Sequence, residues 1–234
     1  MNFSKPEPIK NNYSISRRTA DNNVTIVEIN EQGCEYYDFV LIKFHYDINS
    51  CKEAYKIGLN YRRHDKAVCV IGCVITNQNE KNFTPDFVRQ IDFSAYFNLW
   101  CDGISDYIFE SLVKACYATR GGSTHGDPQE WLSMQDRNRG NRVFVVAECK
   151  ETISESFSAI VERLNDMKEN SQIYQSHNSF VACYSNEIDT SLLEFESFCT
   201  KVKNLFQIDC NTSCSFVTDY PGNPEIKNEV IFVC

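Results

Sequence analysis

Two carboxylates, Asp127 and Glu130, stand three residues apart in the run GSTHGDPQEW, which begins at Gly122. The run follows a long apolar segment that ends in a pair of glycines. A connection of this kind lies on the surface of a protein and therefore holds acidic side chains in solvent. Carboxylates held in this way can position a water molecule on a neighbouring molecule, so the spacing indicates a contact surface that acts on a partner.

The same residues also have a purely structural interpretation. Asp127 suits the N-cap of a helix, Pro128 suits the first helical position, and Glu130 at the third position completes a capping box. The two interpretations are compatible, because a loop can open a helix and still present its carboxylates to a partner.

Alternating strand and helix patterns must position this loop. After a polar segment that ends near residue 21, four apolar patterns follow in the order strand, strand, helix, strand: 23–29, 37–46, 50–63 and 67–75. The last pattern is apolar on both faces, as expected for a central strand. This part of the chain predicts a partial α/β layer.

One long amphipathic helix is predicted over residues 93–119, where apolar residues recur at steps of three and four. Further apolar groups on its other sides indicate a helix packed between two layers. Gly121 and Gly122 should end it, because glycine readily adopts the left-handed conformation of a helix stop.

The second half repeats the alternation as strand, helix, strand, helix, strand, strand: 142–149, 154–167, 179–184, 191–206, 213–218 and 229–234. Two prolines and a glycine between the last two strands predict a hairpin-like connection. The patterns divide the chain into a flexible arm, an α/β subdomain, a central helix and a βαβαββ domain: 1–21, 22–92, 93–121 and 122–234.

This order of elements resembles the tubulin/FtsZ superfamily, beginning partway through its GTPase domain. Members of that family have a loop G-x-x-N-x-D-x-x-D/E after their central helix, and four residues stand at its positions here: Gly122, His125 in place of the asparagine, Asp127 and Glu130. The resemblance implies that the acidic residues of this loop reach the nucleotide of the next subunit in a filament.

A broader likeness covers the C-terminal half. The D-x-x-L-x-E-F pattern of FtsZ is matched by Asp189, Leu192 or Leu193, Glu194 and Phe195. The resemblance spans roughly residues 36–234. It implies an α/β protein with a partial Rossmann-like N-terminal layer, a long central helix and an FtsZ/tubulin-like C-terminal βαβαββ domain, as in a truncated member of the family.

The glycine-rich phosphate loop of the superfamily, G-G-G-T-G-[ST]-G, has no counterpart in the sequence. Such a loop needs its glycines so that backbone amides can approach the phosphates closely. His125 also departs from the family's asparagine, because an imidazole presents different donors and titrates near neutral pH. We therefore expect a pseudo-GTPase without a cofactor and without catalytic residues of its own.

The sequence contains no motif of a histidine metal site, a serine nucleophile or a zinc-binding cysteine cluster. The four histidines show no H-x-x-x-H or H-E-x-x-H spacing, and no G-x-S-x-G elbow is present. Two cysteine pairs lack the nearby histidine or second pair that a zinc site needs: Cys69 with Cys73, and Cys210 with Cys214. We expect no metal site, and we expect most cysteines to be reduced and buried.

Composition excludes two kinds of partner. The net charge of −9 argues against a protein that binds nucleic acid through its phosphate backbone. No stretch approaches the roughly 18 uncharged apolar residues of a membrane-spanning helix, and the N-terminal residues have no apolar core of a signal peptide. We therefore expect a cytoplasmic protein whose partner is another protein.

Three functions fit these observations. The first is a noncatalytic protein that docks on, or caps, a filament of complete FtsZ- or tubulin-like GTPase subunits through residues 122–130. In the second, Asp127 and Glu130 activate the partner's GTP hydrolysis in trans. The third is a repurposed protein, encoded by a plasmid or virus, that binds and inhibits an unrelated host system.

Overall fold

The computed structural model describes residues 12–75, 92–122, 126–134, 141–169, 178–185, 188–206, 211–218 and 228–234. In chain order, its elements are β1 (Tyr13–Thr19), β2 (Thr25–Glu31), β3 (Tyr37–His45), α1 (Ile48–Arg63), β4 (Ala67–Ile75), β5 (Leu99–Ile104), α2 (Asp106–Gly121), α3 (Pro128–Leu132), β6 (Val145–Lys150), α4 (Ile153–Glu169), β7 (Asn178–Tyr184), α5 (Ile188–Phe206), β8 (Asn211–Val217) and β9 (Asn228–Val233).

The first sheet has the strand order β1-β2-β3-β4-β5. Strands β3, β4 and β5 are parallel, and β1 and β2 extend the sheet in antiparallel fashion. Helix α1 connects β3 to β4, and its N-terminus is capped by Asp47, whose carboxylate accepts hydrogen bonds from the N–H groups of Asn49 and Ser50. The helix buries Ala54 and Tyr55 against one face of this sheet. The predicted partial α/β layer is therefore present.

The second sheet has the strand order β6-β9-β7-β8. Strand β9 lies between β6 and β7, antiparallel to both, and β7 is parallel to β8. Helices α4 and α5 cover the outer face, where Phe157, Ile160 and Phe198 are buried. The predicted βαβαββ order is confirmed. The hairpin expected between the last two strands is wrong, because β9 pairs with β6 and β7 and not with β8.

Helix α2 packs between the two sheets. The core around it contains Phe39 and Ile71 from the first sheet and Ala182 and Ile231 from the second. Leu112, on the helix itself, is fully buried. A helix with apolar groups on several sides can pack against both sheets at once. The expected position of the central helix between two layers is confirmed.

The length expected for the central helix is wrong. Residues 93–119 do not form one helix, because Leu99–Ile104 form strand β5 and the helix begins only at Asp106. Gly103 has a φ of +68°, which interrupts a right-handed helix. Ser105 then caps α2, since its hydroxyl accepts a hydrogen bond from the N–H of Ile108 at 3.3 Å.

The flexible arm expected over residues 1–21 is also wrong where the structure describes it. Tyr13–Thr19 form β1, an edge strand paired with β2 along its whole length. Tyr13 and Ile15 pack against the core between the sheets, and Arg17 donates two hydrogen bonds to Glu110 on α2, at 2.7 and 2.6 Å. Residues 1–11 lie outside the described ranges.

One extended segment connects the two sheets. The N–H of Trp100 in β5 donates to the carbonyl of Asn141, and the N–H of Val143 donates to the carbonyl of Trp100. Phe144 then exchanges two backbone hydrogen bonds with Cys234, and β6 continues this pairing with β9. The strand expected over 142–149 therefore begins as an extension of the first sheet and enters the second sheet only at residue 144.

Most described cysteines lie in the core as reduced thiols. The buried ones are Cys51, Cys69, Cys73, Cys101, Cys116, Cys183 and Cys234, whereas Cys34 and Cys149 are exposed. Burial raises the pKa of the Cys69 thiol well above its ordinary value. Among the described helices, none combines the length and the apolar character needed to cross a membrane.

Candidate functional site

The acidic loop, residues 122–130, leaves the end of α2 at Gly122. The left-handed stop expected there is wrong, because Gly122 has an extended backbone with φ −90° and ψ −176°. Glycine is needed for a different reason: a Cβ at this position would lie 1.8 Å from the Oγ of Ser215 and 2.6 Å from the carbonyl oxygen of Ala118. The end of the central helix therefore lies directly against β8.

We expect Gly122→Ala to destabilise the protein by about 1–3 kcal/mol, because overpacking forces the helix end away from β8. Urea unfolding followed by circular dichroism measures this loss. Gly126→Ala is the matched control in the same loop, since the nearest neighbour of its Cβ would be Thr119 Cγ2 at 3.2 Å. Equal costs at the two glycines would contradict the close approach of the helix end to Ser215.

Asp127 caps the short helix α3. Its Oδ1 accepts a hydrogen bond from the N–H of Gln129 at 2.9 Å, and Pro128 occupies the first turn as a buried residue. The structural interpretation of this spacing is therefore confirmed at the N-cap and at the proline. The Asp127 side chain remains exposed, so capping and presentation to solvent occur together.

Glu130 is held by the second sheet. Its Oε2 accepts a hydrogen bond from the hydroxyl of Ser213 on β8 at 3.2 Å. The full capping box expected here would instead direct this carboxylate to the backbone N–H of Asp127. The Glu130 side chain is exposed, and the contact with Ser213 restricts its direction.

Trp131 anchors α3 to the core. It is fully buried, its indole N–H donates to the hydroxyl of Thr119 at 3.0 Å, and the Thr119 hydroxyl in turn donates to the carbonyl of Ala115. The indole meets Phe39 of the first sheet edge to face at 5.2 Å and Phe180 of the second sheet at 5.4 Å between ring centroids. The residue after the acidic pair therefore fixes α3 to both sheets and to α2.

A partly buried ion pair joins the end of α2 to the first sheet. The Nε of Arg120, in the last turn of α2, is 3.2 Å from Oδ2 of Asp38 in β3, and its guanidinium lies 5.5 Å from the ring centroid of Tyr13. Burial raises the pKa of Asp38 above its ordinary value, Arg120 opposes that rise, and the negative charge of Asp127 adds to it. The electrostatic field of Asp127 therefore reaches this pair.

The structure places three of the four residues expected for the site. Gly122 follows the end of α2, Asp127 caps α3 and Glu130 lies within α3, whereas His125 lies outside the described ranges. Sequence reasoning missed Ser213, Asp38 and Arg120 as neighbours of the loop. The arginine directly before the glycine pair is a local signal that basic charge lies near the acidic residues.

The arrangement offers two exposed carboxylates at the start of α3. Within the described ranges, no group of three or more histidine, cysteine, aspartate or glutamate side chains is arranged to hold a metal ion. Of the cysteines considered for zinc, Cys69 and Cys73 lie in the core between the sheets, Cys214 lies half-buried in β8, and Cys210 is outside the described residues. The carboxylates can accept hydrogen bonds or orient water on a molecule that docks against them.

Comparison with solved structures finds chains of similar fold, whereas the sequence matches no protein-family model and no curated protein. Sixty-four chains of known structure match. One is an FtsZ mutant from M. jannaschii, with a TM-score of 0.60 and 13% identity over 84% of this chain. The protein has a tubulin/FtsZ-like fold, and it spans 65% of the length of that FtsZ chain.

Proposed function

We propose that this protein is a noncatalytic interaction protein that docks on, or caps, a filament of complete FtsZ- or tubulin-like GTPase subunits through its acidic loop. The observation that carries this proposal is the exposure of Asp127 and Glu130 at the end of the central helix of a tubulin/FtsZ-like fold. The contacts of Glu130 with Ser213 and of Trp131 with both sheets support it, because they restrain α3 before a partner binds.

The missing phosphate loop favours a cap over an ordinary subunit. A subunit in a head-to-tail filament needs two different surfaces, one for each neighbour. This sequence has the acidic loop but no glycine-rich phosphate loop, so it offers one of the two surfaces that the resemblance implies. Docking through that surface ends a filament, because the next subunit finds no nucleotide against which to dock. The proposal includes a cytoplasmic location.

A pull-down and a GTPase assay with the FtsZ- or tubulin-like GTPase from the same cell test this function. We expect wild-type protein to bind and to shorten filaments at a small molar ratio. Asp127→Asn and Glu130→Gln should weaken binding by about tenfold or more, since charge-assisted hydrogen bonds contribute roughly 1.5–3 kcal/mol each. These isosteric changes remove charge, and asparagine still suits an N-cap.

Glu196→Ala is the control, because this glutamate is exposed on α5, which covers the outer face of the second sheet. It should bind like wild type. If the GTPase does not bind at micromolar concentration, or if both loop variants bind as tightly as wild type, the filament role is wrong. The first of these outcomes would favour a repurposed protein that binds and inhibits an unrelated host system.

Activation of the partner's GTP hydrolysis in trans is the second candidate. The hydrogen bond from Ser213 to Glu130 favours it, because a water-positioning carboxylate has to be held in place. The same assay distinguishes the two candidates. An activator raises turnover, and Asp127→Asn removes the stimulation while docking persists, whereas a cap lowers the turnover of the polymer.

A further inference from the structure

Three large apolar side chains stand out by their exposure in the described part of the chain. Tyr36 is 66% exposed, and Ile48 and Tyr107 are each 50% exposed. Ile48 begins α1 just after β3 ends, whereas Tyr36 comes directly before β3, so the two lie at opposite ends of that strand. Single exposed apolar residues are common on protein surfaces. Tyr36 differs from the other two in where it lies and in how its turn is held.

Tyr36 lies at the end of the first sheet where α2 meets the acidic loop. Asp38, two residues further along β3, has its Oδ2 at 3.2 Å from Nε of Arg120 in the last turn of α2. The loop begins at Gly122, two residues after that arginine. A standard protein interface covers about 800 Å² on each partner, which is a patch roughly 30 Å across. A partner docked on the acidic loop therefore also reaches Tyr36.

The turn that carries Tyr36 is held on both sides by hydrogen bonds. Before it, the side-chain amide of Asn30 donates to the carbonyl of Cys34 at 3.0 Å. After it, the N–H of Tyr37 donates to the carbonyl of Lys66 at 2.9 Å. A segment that is already ordered loses little conformational entropy when a partner binds. The ring of Tyr36 is therefore presented to a partner at low entropic cost.

The surface around Tyr36 carries more negative than positive charge. The exposed charged residues on the connections at this end of the sheet, together with His64, are Glu31, Glu35, Arg63, Asp65, Lys66, Asp127 and Glu130. The two cations of this set both lie where α1 leads into β4, with Asp65 between them. The carboxylates outnumber them and include the direct neighbour of Tyr36 in the chain, Glu35. This surface thus complements a face that carries lysine or arginine.

We propose that the docking surface extends from the acidic loop to Tyr36, and that the partner offers an apolar recess for this ring, bordered by basic side chains. The inference rests on the filament contact proposed above, and it adds an aromatic anchor to that contact. The carboxylates supply charge complementarity, whereas the ring supplies apolar area. Tyrosine is one of the residues in which the binding energy of interfaces concentrates.

The test is the affinity of the full chain for the FtsZ- or tubulin-like GTPase from the same cell, measured at about 0.1 M and about 1 M salt. We expect Tyr36→Ser to weaken binding about thirtyfold at both salt concentrations, because the lost contact is apolar. Glu130→Gln should weaken binding at low salt and have a smaller effect at high salt. Tyr36→Phe keeps the ring and should bind like wild type.

Ile48→Ser is the matched control, since it removes an exposed apolar side chain from the opposite end of β3. It should leave the affinity unchanged. Thermal unfolding of Tyr36→Ser should match that of wild type, because substitutions at exposed positions change stability little. A loss of binding then reports a lost contact and not a loss of fold.

Three outcomes would overturn the inference. If the loop variants bind weakly but Tyr36→Ser binds like wild type, the aromatic anchor is wrong and the proposed function stands. If wild-type protein does not bind the GTPase, both are wrong. If Ile48→Ser weakens binding as much as Tyr36→Ser does, the contact is not confined to the end of the sheet that carries the acidic loop.

Discussion

Replacement of Lys114 by methionine is expected to cost about 3–5 kcal/mol of folding free energy, because it leaves a buried carboxylate without its counter-charge. Lys114 lies on α2, and its Nζ is 2.5 Å from Oε2 of Glu229 on β9. Glu229 is only 4% exposed. The hydroxyl of Ser111 donates to its other oxygen at 3.1 Å. Urea unfolding followed by circular dichroism measures the loss.

Two further variants test this prediction. Glu229→Gln in the Lys114→Met background removes the uncompensated charge and should recover a large part of the stability. Lys43→Met is the matched control at a surface pair, since its partner Asp106 has a side chain 81% exposed; it should cost no more than about 1 kcal/mol. Equal costs for the two lysines would show that water screens the Lys114–Glu229 pair.

Replacement of Trp131 by alanine is expected to cost about 3–5 kcal/mol and to disable the acidic loop as well. The indole is fully buried and contacts both sheets, so its removal leaves a large cavity. The N-cap at Asp127 and the contact of Glu130 with Ser213 then lose their common support. The variant should therefore show both a lower unfolding midpoint and a weaker response in the partner assay.

Trp131→Phe separates packing from hydrogen bonding. It keeps most of the ring but leaves the hydroxyl of Thr119 without the indole donor, so a smaller loss of about 1–2 kcal/mol is expected. Gln129→Ala, at an exposed position of the same short helix, should change stability by less than about 0.5 kcal/mol. If Trp131→Ala unfolds like wild type, the indole does not anchor the loop.

Strong periodic patterns made much of the fold predictable. The strand 67–75 is apolar on both faces and forms the interior strand β4, and the apolar stripes of α4 and α5 gave helices close to their observed bounds. Strand β5 was missed because Phe97, Cys101 and Ile104 satisfy helical spacing by coincidence. The conformation of Gly103, which breaks that helix, depends on pairing between β5 and β4 and is not visible in a local pattern.

Features that depend on long-range pairing were harder to predict. Strand β1 is polar at an edge, and it is held by its pairing with β2 and by the packing of Tyr13 and Ile15 against the core, which also involves α2 and the second sheet. For the site, the spacing of Asp127 and Glu130 correctly indicated an exposed, helix-opening pair. The salt bridge between Arg120 and Asp38 joins residues 82 positions apart in the sequence. The hydrogen bond between Ser213 and Glu130 joins residues 83 positions apart, so no local motif contains either pair.

The position of β9 has a consequence for how the protein is made. The first sheet consists of strands that are close in sequence, so it can form while the remainder is still being translated. The second sheet has β9, the last of its strands to be synthesised, between β6 and β7. Strand β9 therefore cannot pair with β6 or β7 until residues 228–233 have left the ribosome. Until then, the edges of β6 and β7 are exposed to other nascent chains and to chaperones.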